Sequence, residues 1–128
     1  MVAAFDTNII VDLLRKQRDA PTKILTYTEI YIPVTVVGEL LFGAAISAKP
    51  TESRADVLAF LEKGKLLEQN IMVAEAYVEV RKHLQIKGKP IPENDIWIAA
   101  TAHAYGLKLI TRDQHFAGID FLNVEFWK

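Results

Sequence analysis

Short apolar runs alternate along this chain with longer segments in which apolar residues recur at helical spacing. The first run, Val2–Phe5, is uninterrupted and is followed by polar residues, as expected for a buried parallel strand. Ile9, Ile10, Leu13 and Leu14 then follow at the spacing of an amphipathic helix. We therefore predict a strand followed directly by a helix.

The same pattern repeats to the end of the chain. Further strands are predicted at residues 29–33, 65–69, 107–111 and 124–127. Further helices are predicted at 21–28, 35–48, 52–63, 72–86 and 93–105, with a short helical turn at 113–117. Strands that alternate with helices favour an α/β fold with a mainly parallel central sheet.

Three finer expectations concern single side chains. In the second helix, Ile24 and Leu25 are spaced to face the core. Gly64 is placed to cap the helix at 52–63. The helix at 72–86 carries an apolar stripe, formed by Met72, Ala76, Val80 and Leu84.

Composition limits the classes of protein. The 128 residues suit one domain covering 1–128, because 51% are hydrophobic and no Pro-, Gly- or Ser-rich linker divides them. The absence of cysteine excludes disulfides, thiolate metal sites and thiol catalysis. We found neither a signal peptide nor a membrane span, so the cytoplasm is the expected location. A net charge of −1 means that nucleic acid would have to be bound through local patches.

Two acids follow predicted strands. Asp6 comes directly after the first strand, and Asp113 comes shortly after the strand at 107–111. The carboxyl ends of parallel strands are where α/β proteins bind ligands. Asp113 has an alternative role as the N-cap of the turn that follows it, whereas we assign the first helix cap to Thr7 or Asn8, leaving Asp6 free.

Two further acids lie on predicted apolar stripes near helix starts. Glu39 shares one side of its helix with Phe42 and Ile46, and it is one residue too late to form a capping box with Thr35. Asp95 lies on a stripe with Ile98, Ala99 and Ala102, although it could instead be a first-turn acid favourable to the helix dipole. Because solvated acids are not expected on such stripes, Glu39 and Asp95 are candidate site residues.

These four carboxylates are predicted to meet at one edge of the sheet. Two unit charges about 4 Å apart repel by roughly 4 kcal/mol at an effective dielectric near 20, so protonation or a cation must compensate. With oxygen ligands and no adjacent histidine, Mg²⁺ or Mn²⁺ suits the site best. Such ions support phosphodiester cleavage, and Thr7, Asn8 and Thr111 are candidates for orienting the carboxylates.

Four segments together resemble the PIN-domain ribonucleases, and most closely the VapC toxins of bacterial and archaeal toxin-antitoxin pairs. The segments carry the four acids in order and at the right intervals. They are Phe5-Asp6-Thr7-Asn8, Val37-Gly38-Glu39-Leu40, the stretch from Pro92 to Ala100 around Asp95, and the stretch from Leu109 to Phe116 around Asp113.

The resemblance implies a three-layer α/β/α sandwich and cleavage of RNA by a Mg²⁺- or Mn²⁺-dependent endonuclease. Asp6, Glu39, Asp95 and Asp113 would form its acidic quartet, Asp113 being the member whose necessity varies in the family. It also implies a homodimer, inhibited by a small VapB-like antitoxin whose C-terminal segment covers the acidic pocket.

Basic residues next to the acids are candidate RNA contacts. Lys87, Lys89 and Arg112 could bind phosphates, although each is also a typical surface charge. Among the histidines, His115 is nearest the site and could touch RNA, although a solvated ring is the expectation for it.

Three other functions also place acids at such a sheet edge or share the fold, and the residues argue against each. A receiver-like Mg²⁺-binding signalling domain needs paired acids after the first strand, but Asp6 is followed by Thr7 and Asn8. A haloacid-type phosphatase needs Asp-x-Asp there, and Asn8 occupies the second position. A catalytically silent scaffold with the same fold remains open, although the intact acids argue against it.

Overall fold

The computed structural model describes residues 1–128, and five parallel strands form its central sheet. The strands are β1 (Val2–Phe5), β2 (Glu29–Pro33), β3 (Lys65–Leu67), β4 (Leu109–Thr111) and β5 (Val124–Phe126). Their order in the sheet is β3-β2-β1-β4-β5, and every neighbouring pair is parallel. The predicted parallel α/β fold is therefore confirmed.

Six α-helices accompany the sheet. They are α1 (Thr7–Arg15), α2 (Ala20–Lys23), α3 (Val34–Ala45), α4 (Pro50–Glu62), α5 (Ile71–Lys87) and α6 (Glu93–Ala104). The chain moves towards one edge of the sheet from β1 to β3 and then reverses, crossing back to β4. Because crossovers between parallel strands are right-handed, α1 to α4 lie on one face of the sheet and α5 and α6 on the other. Accordingly α3 packs on α1 and α4, while α5 packs on α6, which gives the predicted three layers.

The core lies between these layers and is almost entirely apolar. Ala3, Ala4 and Phe5 of β1 are fully buried, as are Leu109 and Ile110 of β4. Continuous burial of the central strands is typical of a parallel sheet covered on both faces. None of the helices combines the length and hydropathy needed to cross a membrane.

The order of the strands creates a switch point between β1 and β4. From β1 the chain moves to β2 on one side, and β4 lies on the other side. Ligands of doubly wound sheets bind at such points, outside the carboxyl ends of the strands. The fold thus brings Asp6, directly after β1, and residues 111–113, at the end of β4 and just beyond it, to the position where a site is expected.

Several finer predictions were wrong in instructive ways. The segment predicted as one helix at 21–28 is a short α2 followed by a 3₁₀ turn over Ile24–Thr26. A 3₁₀ turn has three residues per turn, so it rotates the side chains away from the α-helical positions. As a result Leu25 is 81% exposed and Tyr27 is buried in its place.

Three of the four residues predicted for the stripe on α5 are confirmed, because Ala76, Val80 and Leu84 are buried. Only the first member differs: Val73 is fully buried, whereas Met72 lies in the first turn and is 45% exposed. Asn70 caps this helix by accepting a hydrogen bond from the backbone N–H of Val73.

Gly64 has a packing role instead of the predicted capping role. Lys63 is the C-cap of α4, and a Cβ on Gly64 would lie 2.7 Å from Cδ1 of Ile32 and 3.2 Å from the carbonyl oxygen of Ile30. Glycine therefore lets the start of β3 approach β2 closely. The left-handed glycine caps are Gly88 after α5 and Gly106 after α6, each with φ near 67°.

Candidate active site

Asp6 is a nearly buried carboxylate at the carboxyl end of β1, with 4% of its surface exposed. It accepts hydrogen bonds from three donors: the backbone N–H of Thr7 at 2.7 Å, the hydroxyl of Thr111 at 2.7 Å and the amide of Asn8 at 3.2 Å. Asp6 is therefore the N-cap of α1, contrary to our assignment of that role to Thr7 or Asn8. Two carboxylate oxygens offer about four acceptor positions, so these three bonds leave room for a cation.

The environment of Asp6 opposes its charge overall. Burial raises the pKa of this carboxyl, and the nearby acids Glu39 and Asp113 raise it further, while the hydrogen bonds from Thr111 and Thr7 lower it. Because the raising causes prevail, the charged form is disfavoured without a counter-ion.

Glu39 reaches the site from the second turn of α3. Its carboxylate accepts a hydrogen bond of 2.6 Å from the hydroxyl of Thr7, which links α3 to the start of α1. Our reason for singling out Glu39 was nevertheless wrong. Phe42 and Ile46, on the same side of α3, are 65% and 70% exposed, so this stripe is not a core face. The core face of α3 consists of Val36, Leu40 and Ala44.

Asp95 enters from the first turn of α6, and its stripe is buried as predicted, with Ile98, Ala99 and Ala102 fully inaccessible. Its carboxylate is 16% exposed. Burial, followed by repulsion from Asp6, Asp113 and Glu39, raises the pKa of Asp95 to about 6, although His115 lowers it slightly. Asp95 thus feels the charges of the other three acids, which means that the fold brings the four predicted acids together.

Asp113 completes the cluster and also caps the 3₁₀ turn over Gln114–Gly118, by accepting from the backbone N–H of His115 at 2.9 Å. Its own N–H donates to the hydroxyl of Thr111 at 3.0 Å. Thr111 therefore connects Asp113 to Asp6 through two hydrogen bonds. The capping role and a role in the site are compatible, because the side chain remains 31% exposed.

His115 lies beside this cluster with an exposed ring, as predicted, and the structure adds that the ring faces two of the acids. Its Nδ1 lies 3.0 Å from Oδ1 of Asp113 and 4.0 Å from Oδ2 of Asp95. One ligand atom from each of these three residues can be chosen so that all lie within 4.8 Å of one another. The sequence does carry one signal for this contact. His115 lies two residues after Asp113, so a turn capped by Asp113 brings the ring next to that carboxylate.

The structure corrects the prediction that Arg112 contacts RNA. Its side chain is only 10% exposed, and its Nε donates to Oδ2 of Asp12, a carboxylate in α1 that is 9% exposed. Arg18 approaches the same oxygen at 3.4 Å. Asp12 drew no attention in the sequence because it lies within the apolar repeat of α1, yet it ties that helix to the segment carrying Thr111 and Asp113.

Lys87 and Lys89 lie beside the cluster, where they line a groove together with Gln114 and His115. Lys87 is engaged by Asp120 at 2.8 Å and by the carbonyl oxygen of Gly118 at 3.0 Å. Lys89 is exposed. A phosphate contact through either residue stays a prediction, and Lys89 is the better placed of the two.

The donor set fits a divalent metal ion. Four carboxylates converge on the switch point, at least two of them have raised pKa values, and carboxylate oxygens are the ligands that hard divalent cations prefer. A cation at this position would offset the mutual repulsion of the acids.

Comparison with known proteins identifies the family. The PIN domain model matches residues 3–122. The chain belongs to the PIN-domain family. This PIN domain is 30% identical over 128 residues to Ribonuclease VapC2 of Haemophilus influenzae, with 95% of each chain covered. It is also 30% identical to Ribonuclease VapC2 of Rickettsia felis, over 99% of this chain and 98% of that one.

Solved structures agree with the sequence comparison. The PIN domain resembles VapBC2 from Rickettsia felis bound to a promoter DNA fragment, with a TM-score of 0.91, 28% identity and full coverage of both chains. DNA-bound VapBC from Salmonella typhimurium gives a TM-score of 0.91 at 26% identity, again over both full chains. Membership of this family leaves the receiver-like alternative without support.

The Asp12–Arg112 pair gives a prediction about stability. Asp12→Asn should destabilise the fold by about 3 kcal/mol, because it leaves a buried guanidinium without its counter-charge. Urea unfolding followed by circular dichroism measures the loss. Asp19→Asn is the control, since Asp19 forms an exposed pair with Lys23 and should change stability by less than about 1 kcal/mol. Equal losses in the two variants would contradict a special role for the buried pair.

The raised pKa of Asp95 gives a second prediction. Between about pH 4 and 6 the Asp95 carboxyl is protonated more in the folded state than in the unfolded state, so its contribution to the stability of the metal-free protein should fall as the pH rises through this range. Asp95→Asn removes that loss. In chelator it should be more stable than wild type by roughly 1 kcal/mol at pH 7.5, a value discounted for the partial exposure of the group and the lost helix-dipole interaction.

Unfolding in urea at pH 4 and pH 7.5 tests this. The advantage of Asp95→Asn should be lost towards pH 4, whereas Asp19→Asn should show no such dependence. A variant that is less stable than wild type at pH 7.5, and relatively more stable at pH 4, would contradict the assigned direction.

Proposed function

We propose that this PIN domain is a metal-dependent endoribonuclease that cleaves RNA phosphodiester bonds and acts as the toxin of a VapBC-type pair. The observation that carries the proposal is the convergence of Asp6, Glu39, Asp95 and Asp113 at the switch point of the sheet. The relatives named Ribonuclease VapC, which match nearly the whole chain, support the same chemistry. Its RNA substrate is consistent with action in the cytoplasm.

The four acids are proposed to bind metal, with different roles. Asp6, Glu39 and Asp95 would hold Mg²⁺ or Mn²⁺, with Asp113 binding a second ion or ordering water. When bound, the metal supplies activation of water and neutralisation of the charge that develops on the scissile phosphate. Thr7 would orient Glu39 through its 2.6 Å hydrogen bond.

Thr111 and Asn8 would hold Asp6 in one rotamer, because both donate to the same oxygen of its carboxylate. Orientation of ligands by such partners commonly changes metal affinity by about 10- to 100-fold. Asn8 also accepts from the backbone N–H of Arg112 at 3.2 Å, so it couples the end of β4 to Asp6.

The RNA would enter along the groove lined by Lys89 and His115, next to Asp95 and Asp113. Lys89 provides a positive charge near the acids, which suits the phosphate backbone. This is a local patch, as the net charge of −1 requires.

The function is tested with purified protein and RNA. Cleavage should require Mg²⁺ or Mn²⁺ and should fall by at least about 100-fold in Asp6→Asn, because several kcal/mol of metal-based stabilisation are lost and each 1.36 kcal/mol is tenfold in rate. Asp19→Asn is the control for losing an exposed acid, and circular dichroism checks that each variant folds. Lys89→Ala should weaken the binding of RNA, which would raise the RNA concentration needed for half-maximal cleavage.

Two results would overturn the assignment in different ways. Equal cleavage in excess chelator would refute the metal mechanism. Full activity in Asp6→Asn would mean that the site lies elsewhere, while a folded wild type that cleaves no RNA with either metal would support the catalytically silent scaffold.

We also propose that a VapB-like antitoxin covers the apolar surface formed by Phe42 and Ile46. Both side chains are largely exposed on α3, next to a groove between α1, α3 and α4 whose lining includes Glu39. Exposed apolar surface beside a functional site is typical of a protein interaction surface. A peptide bound there would lie next to Glu39.

The double variant Phe42→Ser/Ile46→Ser should bind the antitoxin at least tenfold more weakly, since burying each side chain contributes roughly 1.5–3 kcal/mol. Calorimetry with the protein encoded beside this one measures the change, and Leu25→Ser, at another exposed apolar position, is the control. Unchanged affinity in the double variant would exclude this surface. The homodimer stays a prediction, which light scattering tests.

A further inference from the structure

His115 is placed differently from the other histidines, because its Nδ1 faces two acids of the candidate metal site. The ring nitrogen lies 3.0 Å from Oδ1 of Asp113 and 4.0 Å from Oδ2 of Asp95. These acids come from separate elements, the turn after β4 and the start of α6. His83 and His103 each contact only one acid, Asp120 and Glu79, away from the quartet.

We propose that His115 is a nitrogen ligand of the ion held by Asp95 and Asp113, and that it makes this part of the site prefer Mn²⁺ to Mg²⁺. The inference rests on the proposed function, because it assumes that the acids hold a divalent ion. It adds a ligand outside the carboxylate quartet and a preference between the two ions.

The distances suit donors of one ion. Two ligand atoms on an ion with bonds of about 2.1 Å are about 3.0 Å apart when adjacent and about 4.2 Å apart when opposite. The separation between Nδ1 and Asp113 matches an adjacent pair, and that between Nδ1 and Asp95 falls just short of an opposite pair. All three ligand atoms lie within 4.8 Å of one another, so at most a small movement closes the set.

The three side chains differ in how far they can move. The ring of His115 is 56% exposed and the carboxylate of Asp113 is 31% exposed, while Asp95 is held more firmly at 16%. Asp95 would therefore provide the fixed member of the set, and the two residues of the turn would adjust to it.

The chemistry of the ring gives the preference. Mg²⁺ is a hard ion that takes oxygen ligands and retains several waters. Mn²⁺ also takes carboxylates, but as a first-row transition-metal ion, although the weakest-binding of its series, it accepts an imidazole nitrogen more readily than Mg²⁺ does. A nitrogen donor therefore adds binding free energy for Mn²⁺ and little for Mg²⁺. Carboxylates alone would leave the two ions less well separated.

A hydrogen-bonding role is the alternative that the experiment must distinguish. Nδ1 is also within 3.2 Å of Oδ2 of Asp113, so the ring could donate a proton to this carboxylate and brace the cap of the turn. That role needs only Asp113 and no approach to Asp95. It predicts that no nitrogen of the protein is bonded to the metal.

Pulsed electron paramagnetic resonance of the full chain loaded with Mn²⁺ tests the ligand directly. Modulation from a directly bonded ¹⁴N should be present in the wild type and in His83→Gln, and absent in His115→Gln. Circular dichroism checks that both variants fold, which the exposure of His115 favours. A wild-type spectrum without nitrogen coupling, or coupling that survives in His115→Gln, would overturn the proposal.

Calorimetry tests the preference without relying on catalysis. His115→Gln should lose about tenfold in affinity for Mn²⁺ and less than about threefold for Mg²⁺, so that the ratio of the two affinities falls. Equal losses for both ions, or none, would contradict the assignment. A separate assay of RNA cleavage distinguishes failure of this inference from failure of the proposed function. Nitrogen coupling in a protein that cleaves no RNA refutes the proposed function alone. Metal-dependent cleavage without nitrogen coupling refutes this inference alone.

Discussion

The hydrogen bond from Thr111 to Asp6 joins the ends of the two strands that flank the switch point, and the site depends on it. It is 2.7 Å long and fully buried, and it fixes the most deeply buried carboxylate of the acidic cluster. The backbone N–H of Asp6 donates to the carbonyl oxygen of Ile110 at 2.9 Å, so the sheet ladder itself continues to this point. Glu39 and Asp113 are linked to this carboxylate through Thr7 and Thr111, which sets their positions relative to it.

Charge is the constraint that this arrangement has to satisfy. Hydrogen bonds from neutral donors lower the pKa of Asp6, but burial and the neighbouring acids still raise it. Asp95 has fewer donors and a pKa of about 6. The fold therefore holds mutually repelling carboxylates at the carboxyl ends of its strands, and such perturbed groups are common at functional sites. Binding of a cation would reduce this repulsion and so stabilise the folded state.

The sequence predicts the frame of this protein well because parallel strands and their carboxyl ends have clear signals. Asp6 and Asp95 follow from the end of a buried strand and from a buried helical stripe. Glu39 was predicted for a wrong reason, since periodicity identifies the apolar stripe containing Phe42 but does not tell whether that stripe faces the core or a partner.

Pairings between distant segments are the part that the sequence could not reveal. Arg112 looked like a surface charge, and only the packing of α1 against β4 brings it to Asp12, 100 residues away. For the same reason Asp12 was overlooked. The ring of His115 is exposed, as predicted, but its approach to Asp95 at the start of α6 is a property of the folded chain.

Helix α3 carries both an acid of the candidate site and the exposed apolar surface that we propose for the antitoxin. One side of this helix packs in the core through Val36 and Leu40 and so fixes its position. Glu39 then reaches Thr7 at the acidic cluster, while Phe42 lies one turn further along and is exposed. Because both residues lie on the same rigid helix, a partner that covers Phe42 is placed beside an acid of the site without any change in the fold. Covering of the site by a bound segment is therefore a sufficient physical basis for inhibition, and no conformational switch is required.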